Sequence, residues 1–227
     1  MNNKFFSALA ISILFLASCQ KDDAPAPAPI AVKYMSTTSG SIWNYEIIDN
    51  VAVTTTPYTL VSTSKDSTIN ARSYHVYSHA GSANEYYNIT GSDYYNFRSL
   101  PAGFGGSNVE YLYLKDNAAV GTTWSQTYPV TASGIPLNAI LTNTITEKGV
   151  TKVVKGISYA DVIHITTTVA VTVSGVPLPT SAITTNIHSY YAGKVGLIQS
   201  VNKININYGG ITDNTDQQTN LNTSVIK

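Results

Sequence analysis

Residues 161–173 alternate without a break. Ile163, Ile165, Thr167, Val169, Val171 and Val173 fall on one face, and His164, Thr166, Thr168, Ala170 and Thr172 fall on the other. Successive side chains of a strand point to opposite sides, so this pattern describes a half-buried strand with one wet face. A helix is excluded, because its apolar stripe recurs every three to four residues. The length of the run predicts a bend or bulge within it. No segment after residue 30 carries a helical stripe. Thr, Val, Ile and Tyr dominate there, and these stiff or flat side chains suit a pleated surface.

Further strands are predicted over 42–48, 59–64, 73–79, 85–90, 94–99, 109–115, 123–130, 137–147, 151–155, 184–191 and 197–208. Turn chemistry separates them at Asn50, Gly81, Gly91-Ser92-Asp93, Gly103 to Gly106, Gly121, Lys148-Gly149 and Gly175-Val176-Pro177. The expected fold is all-β: about a dozen mostly antiparallel strands in a meander, curled into a half-barrel or barrel-like sheet, with a β-sandwich as the alternative. One β domain spans 33–208. The polar stretch 209–227, rich in Asn, Thr, Gln and Asp, is expected to lie loose or to pair weakly at an edge.

The first thirty residues carry an address. Lys4 precedes an apolar run over 5–17 that is too short to span a bilayer and fits a cleavable signal peptide, residues 1–18. Leu16-Ala17-Ser18-Cys19 follows, and it resembles the bacterial lipobox, in which the cysteine thiol is acylated and becomes the new N-terminus. Cys19 is the single cysteine of the chain, so no intramolecular disulfide can form. Acyl chains contribute about 0.8 kcal/mol per buried CH2, enough to anchor a protein when several are present. Gln20-Lys21-Asp22-Asp23 resembles the surface-export signal of Bacteroidota lipoproteins. The Pro/Ala-rich stretch within 19–32 reads as an extended tether.

Composition narrows the function. Cleavage before Cys19 removes one of thirteen basic residues and none of thirteen acidic ones, leaving the mature chain near −1. That charge argues against nucleic-acid binding, which relies on clustered Lys and Arg. With 11% charged residues, the surface must be wetted mainly by Thr, Ser and Asn.

A second resemblance rests on Gly40-Ser41-Ile42-Trp43-Asn44-Tyr45, Gly121-Thr122-Thr123-Trp124, Tyr159-Ala160-Asp161-Val162-Ile163 and Tyr190 to Ile198. Together these are similar to motifs of a group of β-rich bacterial lipoproteins. The resemblance implies a β fold and an anchored location, and it brings no catalytic residue with it.

Adjacent tyrosines must place one ring on each sheet face. Tyr86, Tyr94, Tyr111, Tyr113 and Tyr190 are the candidates for stacking on a glycan or an apolar ligand, set against the simpler role of filling the core. His75 and His79 share a strand face but lie about 13 Å apart, too far to share an ion. His164 and His188 can meet only across strands, and no metal site or cofactor is expected. The run Asp213-Asn214-Thr215-Asp216 reads as a solvated turn. No catalytic motif is present. The sequence therefore predicts a lipid-anchored outer-membrane protein facing the exterior, with the periplasmic face as the alternative location. Its β domain serves binding or structure, with a carrier of apolar ligands and a glycan-active enzyme as rivals.

Overall fold

The computed structural model describes residues 32–100, 108–132, 134–209 and 211–227. The alternating run becomes β9 (Ile157–Val173), paired with the still longer β8 (Ile135–Val154). Ile163 and Ile165 are buried, while their neighbour His164 is partly exposed. The expected irregularity falls at the start of the run and on its partner. Register shifts at Ile145/Glu147 and Lys148/Val150 bulge β8, and at Val150/Lys152 the extra residue lies on β9, where Asp161 has a φ of 51°. Lys148-Gly149 is thus a bulge within one strand, not a turn between two. Gly149 supplies the positive φ of 71° that the bulge needs.

The remaining strands are β1 (Ile42–Asp49), β2 (Thr54–Ile69), β3 (Arg72–His79), β4 (Glu85–Thr90), β5 (Asp93–Ser99), β6 (Asn108–Lys115), β7 (Thr123–Ala132), the short β10 (Val176–Pro177), β11 (Ile183–Ala192), β12 (Gly196–Tyr208) and β13 (Ile211–Val225). Their order across the sheet is β6-β5-β4-β3-β2-β1-β13-β12-β11-β9-β8-β7, with β10 added beside β9. Every pairing is antiparallel and all the strands belong to one sheet, which curls into a nearly closed barrel and is not a sandwich of two sheets.

Residues 209–227 depart from expectation. Instead of a loose tail or weak edge, β13 inserts between β1 and β12 and is laddered on both sides. The run 213–216, expected as a turn, lies within that strand. Two flanking backbones hold a sequence that has almost no apolar alternation to announce it. Its polar side chains are tolerated inward because Gln217 and Thr219 face a cavity, while Leu221 is fully buried.

Two apolar clusters fill the interior. One gathers Tyr34, Met35, Trp43, Tyr77, Tyr94, Tyr113 and Ile198; the other gathers Leu100, Tyr128, Val130, Leu137, Val171 and Ile204. In the first, the motifs singled out above meet one another. Trp43 Nε1 donates to Val195 O at 2.7 Å, and Tyr45 OH donates to Leu197 O at 3.0 Å. Gly196, between those two acceptors, has φ +110°, and a Cβ there would stand 3.3 Å from Tyr34 O and 3.4 Å from Met35 Sδ.

The tip of the β8–β9 hairpin lies back across the outside of the sheet. Lys155 Nζ reaches Glu46 Oε1 on β1 at 2.9 Å, although four strand spacings, about 19 Å, separate β9 from β1 within the sheet. Val154, next to the tip, is buried for the same reason.

Candidate functional site

Between the two clusters the barrel encloses a partly open cavity of about 330 Å³, within the range of small-molecule sites, about 300–1,000 Å³. Seven tyrosines border it: Tyr34, Tyr45, Tyr58, Tyr87, Tyr111, Tyr113 and Tyr191. Leu60, Leu141, Val169 and Ile204 supply apolar wall, and Asn96, Arg98, Asn202 and Gln217 supply polar groups.

Strand alternation explains who faces inward. On β4, Glu85 and Tyr87 share one face and Tyr86 takes the other; on β5, Tyr94, Asn96 and Arg98 alternate with Tyr95 and Phe97. Most inward hydroxyls are spent on the protein. Tyr45 donates to Leu197 O, Tyr87 to Glu85 Oε2 at 2.7 Å, and Tyr111 to Asn143 Oδ1 at 2.8 Å. Burial pushes the hydroxyls of Tyr45, Tyr87 and Tyr113 well above the ordinary phenol value. Asn96 Oδ1 differs: it is buried, and no donor among the described residues reaches it. Arg98, two residues on and on the same face, makes no ion pair among the described residues and sits 5.8 Å from the Tyr111 ring centroid. Burial raises the Glu85 carboxyl, against the opposing pull of Tyr87 and Arg98.

The tyrosine candidates divide. Tyr111 and Tyr113 border the cavity, and Tyr94 is fully buried beside Tyr113 with ring centroids 6.1 Å apart. Tyr86 and Tyr190 face outward, so the five do not form one platform. The sequence could not indicate Asn96 and Arg98, because which face of β5 turns inward depends on its partners. Among the described residues no Asp or Glu borders the cavity. Glycoside hydrolysis ordinarily needs two carboxylates flanking the substrate, about 5–10 Å apart, so the cavity does not supply that pair.

Two polar constellations lie apart from the cavity. Ser62 Oγ is 2.8 Å from His75 Nε2, and His75 Nδ1 is 3.0 Å from Asp66 Oδ1. The order of atoms matches that of a nucleophile, base and orienting acid. Ser62, however, is 2% exposed and does not border the cavity, while Asp66 is largely exposed. The chain links the bulge of β2 to β3.

On the outer face of β8, β9 and β11, His164 Nδ1 lies 3.0 Å from Glu147 Oε2 and His164 Nε2 lies 2.9 Å from His188 Nδ1. His188 Nε2 in turn meets Asn186 Oδ1 at 2.7 Å. Tyr190 stacks on His164 at 4.1 Å, with Lys152 Nζ 3.7 Å over the Tyr190 ring. Burial, with His188 and Lys152, lowers the His164 pKa, and Glu147 opposes them. Among the described residues no group of three His, Cys, Asp or Glu converges on one point.

Cys19 and Gln20 to Asp23 lie outside the described residues, as does the glycine run 103–106. No family model matches the chain, and no curated protein matches it. Among solved structures, a protein of Parabacteroides distasonis ATCC 8503, provisionally described as a lipoprotein, matches with a TM-score of 0.53. The match covers 86% of this chain and 100% of that one at 10% identity. At that identity the likeness speaks for the fold: this chain is similar in β-barrel architecture to that protein.

Proposed function

We propose that this chain is a lipid-anchored, outer-membrane lipoprotein, displayed toward the exterior, whose barrel binds a small amphipathic molecule in its interior. The cavity carries the binding reading. Leu60, Leu141 and Val169 offer apolar wall, while Asn96 Oδ1 lacks a donor and Arg98 lacks a carboxylate partner among the described residues. Buried polar groups are nearly always hydrogen-bonded, so an unpartnered acceptor beside a cavity favours a ligand that brings a donor. The suited ligand has an apolar body, a hydrogen-bond donor for Asn96 and an acceptor or anionic group for Arg98.

Anchoring rests on the lipobox at Cys19 and the tether after it. A membrane-crossing barrel needs an apolar outer band, whereas the outer face of β9 carries His164, Thr166, Thr168 and Thr172. A wetted outside suits a barrel held off the bilayer by acyl chains. The similarity in fold to a protein described as a lipoprotein agrees with this.

Native mass spectrometry of the detergent-purified protein tests the binding reading. A co-purifying small molecule is expected, and it should be lost when the cavity is filled by substitution. A chain that carries no ligand and takes up no apolar fluorescent probe overturns it. Display has a separate test. Proteinase added to intact cells should remove the barrel, and replacing Lys21, Asp22 and Asp23 by Ala should protect it. Protection of the unaltered protein overturns the exterior location.

A further inference from the structure

We propose that His164 and His188 form a surface site for a divalent transition-metal ion, with Cu2+ the best suited, and that Glu147 and Asn186 hold the two rings in the ligating tautomers. The argument starts from protons. Glu147 Oε2 and Asn186 Oδ1 are both acceptors, and each faces the outward nitrogen of one ring: His164 Nδ1 at 3.0 Å and His188 Nε2 at 2.7 Å. A neutral imidazole carries one N–H and one lone pair, and the hydrogen bond at one nitrogen decides which nitrogen keeps the lone pair. With Oδ1 of Asn186 turned toward His188, both outward nitrogens hold the protons, which leaves lone pairs on His164 Nε2 and His188 Nδ1. Those two atoms face each other at 2.9 Å. Two lone pairs cannot stay that close unless a cation, either a proton or a metal ion, lies between them.

The spacing suits a metal. Two nitrogens each about 2.05 Å from one ion and about 90° apart are about 2.9 Å from each other, whereas a tetrahedral angle demands about 3.3 Å. A right angle is the preference of Cu2+ or Ni2+ in tetragonal sites, and Cu2+ heads the affinity order for nitrogen ligands. To load the ion both rings tilt slightly about their Cβ–Cγ bonds, keeping the 2.9 Å spacing and the bonds to Glu147 and Asn186, until the lone pairs converge on the solvent side, and any proton held between the rings passes to water. The backbones are suited to this, because β9 and β11 are adjacent, with Tyr190 paired to His164 and His188 paired to Thr166. Thr166 Oγ1, 3.5 Å from His188 Nδ1, borders the same space. Water completes the coordination. A carboxylate on the far nitrogen of a ligating histidine is the usual supporting partner, and its loss weakens metal binding about ten- to hundredfold.

Copper(II) chloride titrated into the detergent-purified protein provides the test, read by calorimetry and by electron paramagnetic resonance. One ion per chain is expected, with hyperfine structure from two imidazole nitrogens. His164→Gln and His188→Gln should each weaken binding at least tenfold, Glu147→Gln should weaken it about ten- to hundredfold, and His79→Gln should leave it unchanged. Binding indifferent to both histidine substitutions overturns the site. A second reading needs no variant: in the unaltered protein, substoichiometric Cu2+ should broaden the ring resonances of His164 and His188 before those of His75 and His79. Equal broadening of all four, or none, refutes the proposal.

Discussion

Trp124 Nε1 donates to the backbone carbonyl of Leu112 at 2.8 Å, and through this bond β7 and β6, the two edge strands of the sheet, meet. β6 and β7 share no ladder. Instead, side chains of β7 and β8 serve the free edge of β6. Gln126 Oε1 accepts from Leu112 N at 2.7 Å, Tyr128 OH donates to Glu110 O at 2.8 Å, and Asn143 Nδ2 donates to Leu112 O at 3.2 Å. Gln126 Nε2 also donates to Glu110 O at 3.3 Å, and because Trp124, Gln126 and Tyr128 are two residues apart, one face of β7 supplies most of these contacts. An open strand edge invites pairing with other chains, and this seam covers it without backbone pairing.

Trp124→Phe keeps most of the ring and removes the donor. The Leu112 carbonyl then retains only the longer bond from Asn143. A loss of about 0.5–1.5 kcal/mol in urea unfolding is expected, the usual net worth of one hydrogen bond when the acceptor keeps another partner. A change within error would show that the seam contributes no stability.

Gln126→Ala should act locally. The Leu112 amide loses its acceptor and should exchange with deuterium faster than the amides of β12, whose strand is paired on both sides. Unchanged protection at Leu112 would mean that another group takes over the bond.

Leu141→Trp places an indole in the cavity. Uptake of an apolar probe should fall sharply, and the cost in stability should stay within about 1–3 kcal/mol, the range for overpacking. Full uptake by the folded variant would put the binding space elsewhere.

Glu85→Gln should stabilise the barrel at neutral pH. Burial raises the folded pKa of this carboxyl, so its contribution is most favourable below the ordinary carboxylate value and declines as pH rises through the raised one. Glutamine still accepts the Tyr87 hydroxyl and never ionises. Thermal melts should show the variant more stable at pH 7, with the gap closing toward about pH 4. A gap independent of pH would contradict the assignment.

Gly196→Ala tests the contact between the motifs. Its φ of +110° and the nearby Tyr34 carbonyl leave no relaxed position for a methyl group. A loss of about 1–3 kcal/mol is expected. Trp43 fluorescence should change with it, because the indole bonds to the neighbouring Val195 carbonyl.

The sequence by itself determined what single strands can express. Alternation over 161–173 gave β9, turn residues gave the other breaks, and the tyrosine doublets required one ring on each face. It misread Lys148-Gly149, because a bulge and a turn use the same positive-φ residue. It also misread 209–227, because a strand laddered on both sides needs no apolar alternation to hold it. Tertiary structure alone decided that β13 closes the gap between β1 and β12, that Asn96 and Arg98 face a cavity, and that His164 meets His188. The physical reason is register: backbone hydrogen bonds between distant segments fix which residues become neighbours, and a single strand carries no record of its partner's offset.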